Sequence, residues 1–259
     1  MKKILAIILT VILTSFAFAG CNCKSSTKET ASNDVVYVIA TDTTFAPFEY
    51  QDKKGKYVGV DIDLLAAIAK DQGFKYELKP LGFDAACAAL ESNQADGVIA
   101  GMSIKEERKL KYDFSDPYYD SAVIFAVSKD SKLTSFENLK NKVVAVKNGT
   151  EGASCAESLK NKYGFTVKYF DESPLMYQEV LTGNAAACVE DFPVMDYGIR
   201  KGNGLKQLGE KQIASSYGFA VKKGQNEKLL KMFNDGLKNV IKSGKYQKIL
   251  DKYFGSKAK

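Results

Sequence analysis

The chain has no histidine and no tryptophan among its 259 residues, and only five cysteines and five prolines. Without histidine there is no Ser-His-Asp or Cys-His hydrolase, no imidazole acid or base, and no His-ligated zinc or haem. Proton chemistry would fall to Asp, Glu, Lys, Tyr or Cys. Excess charge is also small: lysine plus arginine number 37 against 31 for aspartate plus glutamate. The charges are interspersed and no basic block alternates with aromatics, so they predict a solvated surface and no nucleic-acid partner. No C-x-x-C occurs, and three cysteines (Cys87, Cys155, Cys188) fall in the globular part. That odd number argues against a disulfide framework or a structural metal, although Cys155 and Cys188 can either pair in an oxidising compartment or stay free. Cys87, among alanines in a helical pattern, fits a small buried residue. A phosphate loop is missing too, because Gly149-Thr150-Glu151-Gly152 lacks the Gly-Lys-Ser/Thr ending.

What is present begins with an address. Residues 1–20 run from Lys2-Lys3 through an apolar stretch to small residues, the pattern of a signal peptide. Ala17-Phe18-Ala19 fits an ordinary cleavage site. Phe18-Ala19-Gly20-Cys21 resembles a bacterial lipobox that would lipidate Cys21, with Phe18 where an aliphatic residue is usual. A polar tether over 21–33 follows, carrying Cys23. The chain as a whole is 45% hydrophobic, a globular composition, and it is long enough for one large domain or two ordinary ones.

From Val35 the pattern is strand (35–41), helix (62–72), strand (75–80), helix (83–92), strand (97–101). Asp61 is expected to cap the first helix and Gly73 to stop it. The same order returns at 142–147, 154–162, 166–170, 173–181 and 186–190. An offset of 91 maps Gly73-Phe74 onto Gly164-Phe165, Leu90 onto Leu181, Asn93 onto Asn184 and Val98 onto Val189. Alternating strands and helices imply parallel sheets with right-handed crossovers. An extra hairpin over 48–60 turns at Lys54-Gly55. A strand (217–222), an amphipathic helix (226–243, with Leu229, Leu230, Phe233, Leu237, Val240 and Ile241 on one face) and a last helix (246–253) return to the first lobe.

The expected fold is α/β: two doubly wound sheets joined by two hinge strands. Lobe 1 is 34–117 with 218–259, lobe 2 is 123–212, and the hinges are 118–122 and 213–217. Ligands bind at the carboxyl ends of parallel strands. That rule selects 41–48, Gly82-Phe83-Asp84, Ala100-Gly101-Met102-Ser103 on to Arg108, Lys147 to Gly152, and Glu190 to Pro193. Arg108 can grip a carboxylate bidentately, and backbone N–H groups near Ser103 and Thr150, at helix starts, also favour an anion. Asp191 suits an ammonium. Together they fit a zwitterion.

Several stretches resemble a known family, the solute-binding proteins of ABC importers for polar amino acids, glutamine binders especially. They are Ala40 to Phe48, Tyr57 to Leu64, Asp113 to Tyr119, Val143 to Thr150 and Tyr246-Gln247-Lys248-Ile249. The resemblance implies a two-lobed, type II periplasmic-binding-protein fold and assigns roles. Arg108, with Ser103 and the backbone at Gly101 and Thr150, would hold the ligand carboxylate, and Met102 between them would also line the site. Asp191, with the Gly101 carbonyl, would hold the ammonium. Phe45 and Phe83 would sandwich the ligand stem, and Asp42 and Lys147 would meet its far end, which suits an amide. Glu151 stands where relatives commonly have a small residue, and Glu190 where the best-known glutamine binders have histidine. Glu190 would pair with Lys147, accept from an amide, or admit a cationic ligand. The implied protein is an extracytoplasmic, lipid-anchored monomer without cofactor, working with a permease and a cytoplasmic ATPase. A dehydratase on the same fold would need an acid or base at the side-chain end, where Glu190 is the candidate. A sensing surface lipoprotein on the same fold is the other alternative.

Overall fold

Apolar runs and glycine stops place most elements where the spacing predicts them. The computed structural model describes residues 35–255. The expected signal peptide, Cys21, Cys23 and the tether lie outside the described residues. The strands are β1 (Val36–Thr41), β2 (Thr44–Phe45), β3 (Glu49–Gln51), β4 (Tyr57–Val58), β5 (Lys75–Pro80), β6 (Gly97–Val98), β7 (Tyr112–Phe114), β8 (Tyr119–Ser128), β9 (Val143–Lys147), β10 (Thr166–Phe170), β11 (Ala187–Asp191), β12 (Leu205–Tyr217) and β13 (Ala220–Lys222). The helices are α1 (Val60–Gln72), α2 (Phe83–Glu91), α3 (Glu106–Lys109), α4 (Glu151–Tyr163), α5 (Ser173–Leu181), α6 (Phe192–Arg200), α7 (Glu227–Lys242) and α8 (Lys245–Phe254).

Two five-stranded sheets share one plan. The first runs β5-β1-β6-β13-β7 and the second β10-β9-β11-β8-β12. In each, the first three strands are parallel, as the strand–helix alternation requires. The sheets are not wholly parallel, however. β13 runs against β6 and β7, and β8 runs against β11 and β12, because these strands arrive from the other sheet and not over a crossover helix. The pairing of β8 with β12 ends at Tyr119 opposite Tyr217, and Tyr217 also bridges to Ser103 beside the first sheet. The strand expected over 217–222 is therefore split: Tyr217 ends β12, and β13 begins at Ala220. Gly218 between them donates its N–H to the Met102 carbonyl at 3.0 Å. The strand expected over 97–101 is only Gly97–Val98 long.

The sheets bury apolar side chains on both faces. In the first, Ile39, Leu64, Leu65 and Ile68 pack with Phe219, Phe233 and Leu237, so α7 covers the same face as α1. Phe219 and Phe233 stack 4.4 Å apart. Each such buried side chain contributes roughly 1.5–3 kcal/mol. Ile241, expected on this face, is exposed. In the second sheet Cys155 packs with Val144, Val146 and Val189, whereas Cys188 packs with Ala126, Ala145 and Met176. These are opposite faces, because neighbouring strand residues point opposite ways. The sheet thus separates two free thiols that the sequence left open to pairing. Cys87 is only half-buried.

Asp61 is not a cap. The turn into α1 is made by Gly59 at φ 141, where a Cβ would overlap the Phe48 carbonyl. Asp61 lies in the first helical turn, fully buried. It accepts the Gly101 N–H and the Tyr118 hydroxyl, each at 2.8 Å. At the other end Gly73 is left-handed and stops the helix as expected.

Candidate functional site

The carboxyl ends of β1, β9 and β11 converge with α3 on one cavity. It is lined by Asp42, Phe45, Phe83, Ala100, Gly101, Ser103, Arg108, Thr150, Glu151 and Asp191. Residues from both sheets' loops form it.

Asp42 follows β1 directly. Its Oδ1 accepts the Thr43 N–H at 2.6 Å, a local turn bond that fixes the side chain. Its Oδ2 is ion-paired with Lys147 Nζ, at the end of β9. Both side chains are almost fully buried. Lys147 also donates to Thr44 Oγ1 at 3.2 Å and stands 5.9 Å from the Phe45 ring centre. Phe45 lies against Gly101. That glycine sits at φ +51, where a Cβ would overlap the ring, so no other residue allows this approach.

Arg108, on α3, is buried although charged. Its Nη1 donates to the Ser103 carbonyl and its Nη2 to the Gly149 carbonyl, both at 2.9 Å. The guanidinium lies 5.2 Å from the Phe83 ring centre. Opposite it, α4 begins one turn earlier than its apolar pattern suggested, because Thr150 caps it: Thr150 Oγ1 accepts the Ala153 N–H at 3.2 Å. The hydroxyl also donates to the Lys147 carbonyl at 2.8 Å. What Thr150 offers the cavity is its place at the positive end of a 13-residue helix. Ser103 Oγ meets Ser215 Oγ at 3.3 Å.

Asp191 closes the β11 side. It accepts the Tyr217 hydroxyl at 2.6 Å. Burial, then the neighbouring Glu190, push its carboxyl up to about 7, against the pull of Tyr217 and Arg108. Glu151 pairs with Lys105 at 2.9 Å, joining the start of α4 to the segment before α3.

Three expected site residues are not in the cavity lining, and one of them, Lys147, reaches it only through its ion pair with Asp42. Met102 is fully buried in the core with Val98 and Tyr112. The left-handed turn at Gly101 brings Gly101 and Ser103 to the cavity, while the Met102 side chain packs into the core. Glu190 does not line the cavity, and none of the hydrogen bonds it makes goes to Lys147. It accepts from Ser173 Oγ and Tyr177 OH at 2.8 Å each, and from the Asp191 N–H at 3.0 Å. Burial raises its pKa, and Lys147 pulls it back. Sequence reasoning placed Ala100 in the right stretch without giving it a role, and missed Tyr217 as the partner of Asp191. The Ser173/Tyr177 pair, spaced i, i+4 on α5, was a helix-face signal that could have pointed to a shared partner.

Charges of both signs around a small cavity between two α/β sheets define the two-lobed, type II periplasmic-binding-protein class. The chain belongs to the bacterial extracellular solute-binding proteins, family 3, whose model matches residues 37–256. Relatives of this kind are amino-acid-binding proteins of ABC transporters. A probable histidine-binding protein of Neisseria gonorrhoeae is 35% identical over 260 residues, 98% of this chain and 96% of that protein. The second substrate-binding domain of GlnP from Lactococcus lactis, in open conformation, is 42% identical. The match covers 88% of this chain and 99% of that one, with a TM-score of 0.61. An ancestral arginine-binding protein bound to glutamine is 40% identical over 85% of this chain and 98% of that one, with a TM-score of 0.78.

Proposed function

We propose that the chain binds a polar L-amino acid, glutamine before others, in this cavity and delivers it to the permease of an ABC importer. The observation that carries the reading is the meeting of Arg108 and Asp191 in one cavity walled by Phe45 and Phe83. Arg108 and the α4 N-terminus would take the α-carboxylate. Asp191 and the Gly101 carbonyl would take the α-ammonium, since the Gly101 N–H is already given to Asp61. The rings would hold the stem.

At the far end, an amide can give its NH2 to Asp42 and take a bond from Lys147, replacing the pair those two make with each other. A cationic side chain would meet Lys147, and like charges in a desolvated site are costly. The hydrogen bonds that hold Glu190 outside the cavity lining leave it a poor counter-ion for such a ligand.

Two lobes, 34–117 with 218–259 and 123–212, would close by bending at 118–122 and 213–217. The better superposition on the glutamine-bound relative than on the open one supports reading this as the closed form. An affinity on the order of 1 μM corresponds to about −8 kcal/mol. Cys21 would anchor the protein outside the cytoplasmic membrane. Among the described residues no helix is long and apolar enough to cross one. Isothermal titration of the protein lacking residues 1–21 against the twenty amino acids tests the reading. Glutamine should bind tightest; silence from all twenty would end it.

A further inference from the structure

Beneath the cavity floor lie two acidic groups that the binding role leaves unused. Glu49, on β3, and Asp61, on α1, are both 0% exposed. Among the described residues no donor reaches either oxygen of Glu49, or Oδ1 of Asp61. The Asp61 N–H donates to the carbonyl of Phe48, the residue before Glu49, at 3.0 Å, which brings the two buried carboxyls close together. Two ionised carboxylates in contact inside a core are strongly unfavourable, and a buried acceptor without a donor costs about 1–3 kcal/mol or more. One proton removes both difficulties.

We infer that Glu49 and Asp61 share a single proton, and that the resulting acid–carboxylate pair positions Gly101 for the ligand's ammonium group. The second half rests on the amino-acid reading of the cavity; the first does not. The geometry also says which partner keeps the charge. Asp61 Oδ2 accepts both the Gly101 N–H and the Tyr118 hydroxyl at 2.8 Å. Asp61 sits in the first turn of a 13-residue helix, where the dipole favours an anion. Glu49 has neither support. Glu49 is therefore the neutral acid, and its O–H donates to Asp61 Oδ1.

Other charged and titratable groups face the pair. Asp42 opposes ionisation of Glu49 and Lys147 favours it, but burial is the largest influence and keeps Glu49 well above the usual carboxylate range. Burial holds Asp61 at about 6 against the pull of its donors. Tyr118 lies against Asp61 and Glu49, and Tyr246 near Asp61. The consequence reaches the site through two bonds. Gly101 is held at φ +51 against the Phe45 ring by its N–H bond to Asp61. Tyr118 stands just before β8, and its N–H donates to the Tyr217 carbonyl at 2.9 Å. Tyr217 in turn holds Asp191.

Infrared difference spectra and glutamine titrations of wild type, Glu49→Gln and Glu49→Leu test this. At neutral pH the wild-type minus Glu49→Gln difference spectrum of the ligand-free proteins, in which the Asp191 acid common to both cancels, should show the carbonyl stretch of one protonated carboxylic acid. The Gln amide still donates to Asp61, so its affinity for glutamine should stay within about threefold of wild type, while Glu49→Leu should lose tenfold or more. Affinity should decline at alkaline pH in both proteins as the ligand's ammonium deprotonates, and more steeply in wild type, where the shared proton also leaves, than in Glu49→Gln. A difference spectrum without that band overturns the shared proton. A folded Glu49→Leu that binds like wild type overturns the positioning role. If Glu49→Leu does not fold, the band and the pH profile of Glu49→Gln still decide. A wild type that shows the band but binds no amino acid sinks the positioning half and keeps the shared proton.

Discussion

Replacing Arg108 with alanine should weaken binding of every amino acid by a similar large factor. A guanidinium carries five N–H donors. Two of them are spent, Nη1 on the Ser103 carbonyl and Nη2 on the Gly149 carbonyl. A donor remains on each terminal nitrogen, which is the fork a carboxylate fits. Two charge-assisted bonds at about 1.5–3 kcal/mol each make about 3–6 kcal/mol, or a hundred- to ten-thousandfold in affinity. The loss also removes a bond from the α3 segment to Gly149 and the cation–π contact with Phe83, worth about 0.5–2 kcal/mol. Uniformity is the diagnostic, because the α-carboxylate is common to all ligands. Arg108→Lys should fall between, keeping the charge but losing the fork. Titration calorimetry against glutamine, asparagine and a decarboxylated glutamine analogue measures this, with circular dichroism to confirm the fold. The analogue should bind wild type and Arg108→Ala about equally. Glutamine affinity within about threefold of wild type would refute the reasoning.

Lys147→Met should strand the Asp42 carboxylate with only its backbone donors, at a cost of about 3–5 kcal/mol, and the double variant with Asp42→Asn should recover much of it. Thermal unfolding reads this, and a single variant as stable as wild type would contradict it. Asp191 carries a carboxyl raised to about 7. Its stabilising contribution is full below its unfolded value and is lost as pH rises through about 7. An ammonium ligand needs the ionised form, so binding should release a proton and weaken by up to about tenfold per pH unit below about 7. Calorimetry in buffers of differing ionisation enthalpy measures the proton, and the effect should vanish in Asp191→Asn.

Local signals explain which features could be read from the chain. β5, β10 and α5 have the bounds their composition suggested, because Pro, Gly and Phe-rich punctuation encloses each run. Long-range pairing hid the rest. An acidic residue before an apolar helix looks like a cap, and nothing near Asp61 announces that Gly101, forty residues on, will donate to it. β12 runs 13 residues with an irregular, largely exposed face and is held by β8, so its length carries no local pattern. Glycine and serine flanking Met102 marked the right loop, but only the packing of Met102 with Val98 and Tyr112 showed that it faces the core. Most lining residues were legible because strand ends are; Glu190 was misjudged because its partners, Ser173 and Tyr177, come from another element.

A crystal structure of the protein lacking residues 1–21, grown with glutamine, tests the central claim most directly. The account predicts the α-carboxylate on Arg108 and the start of α4, the ammonium on Asp191 and the Gly101 carbonyl, and the amide between Asp42 and Lys147. Glutamine bound elsewhere, or reversed so that its amide meets Arg108, would contradict it.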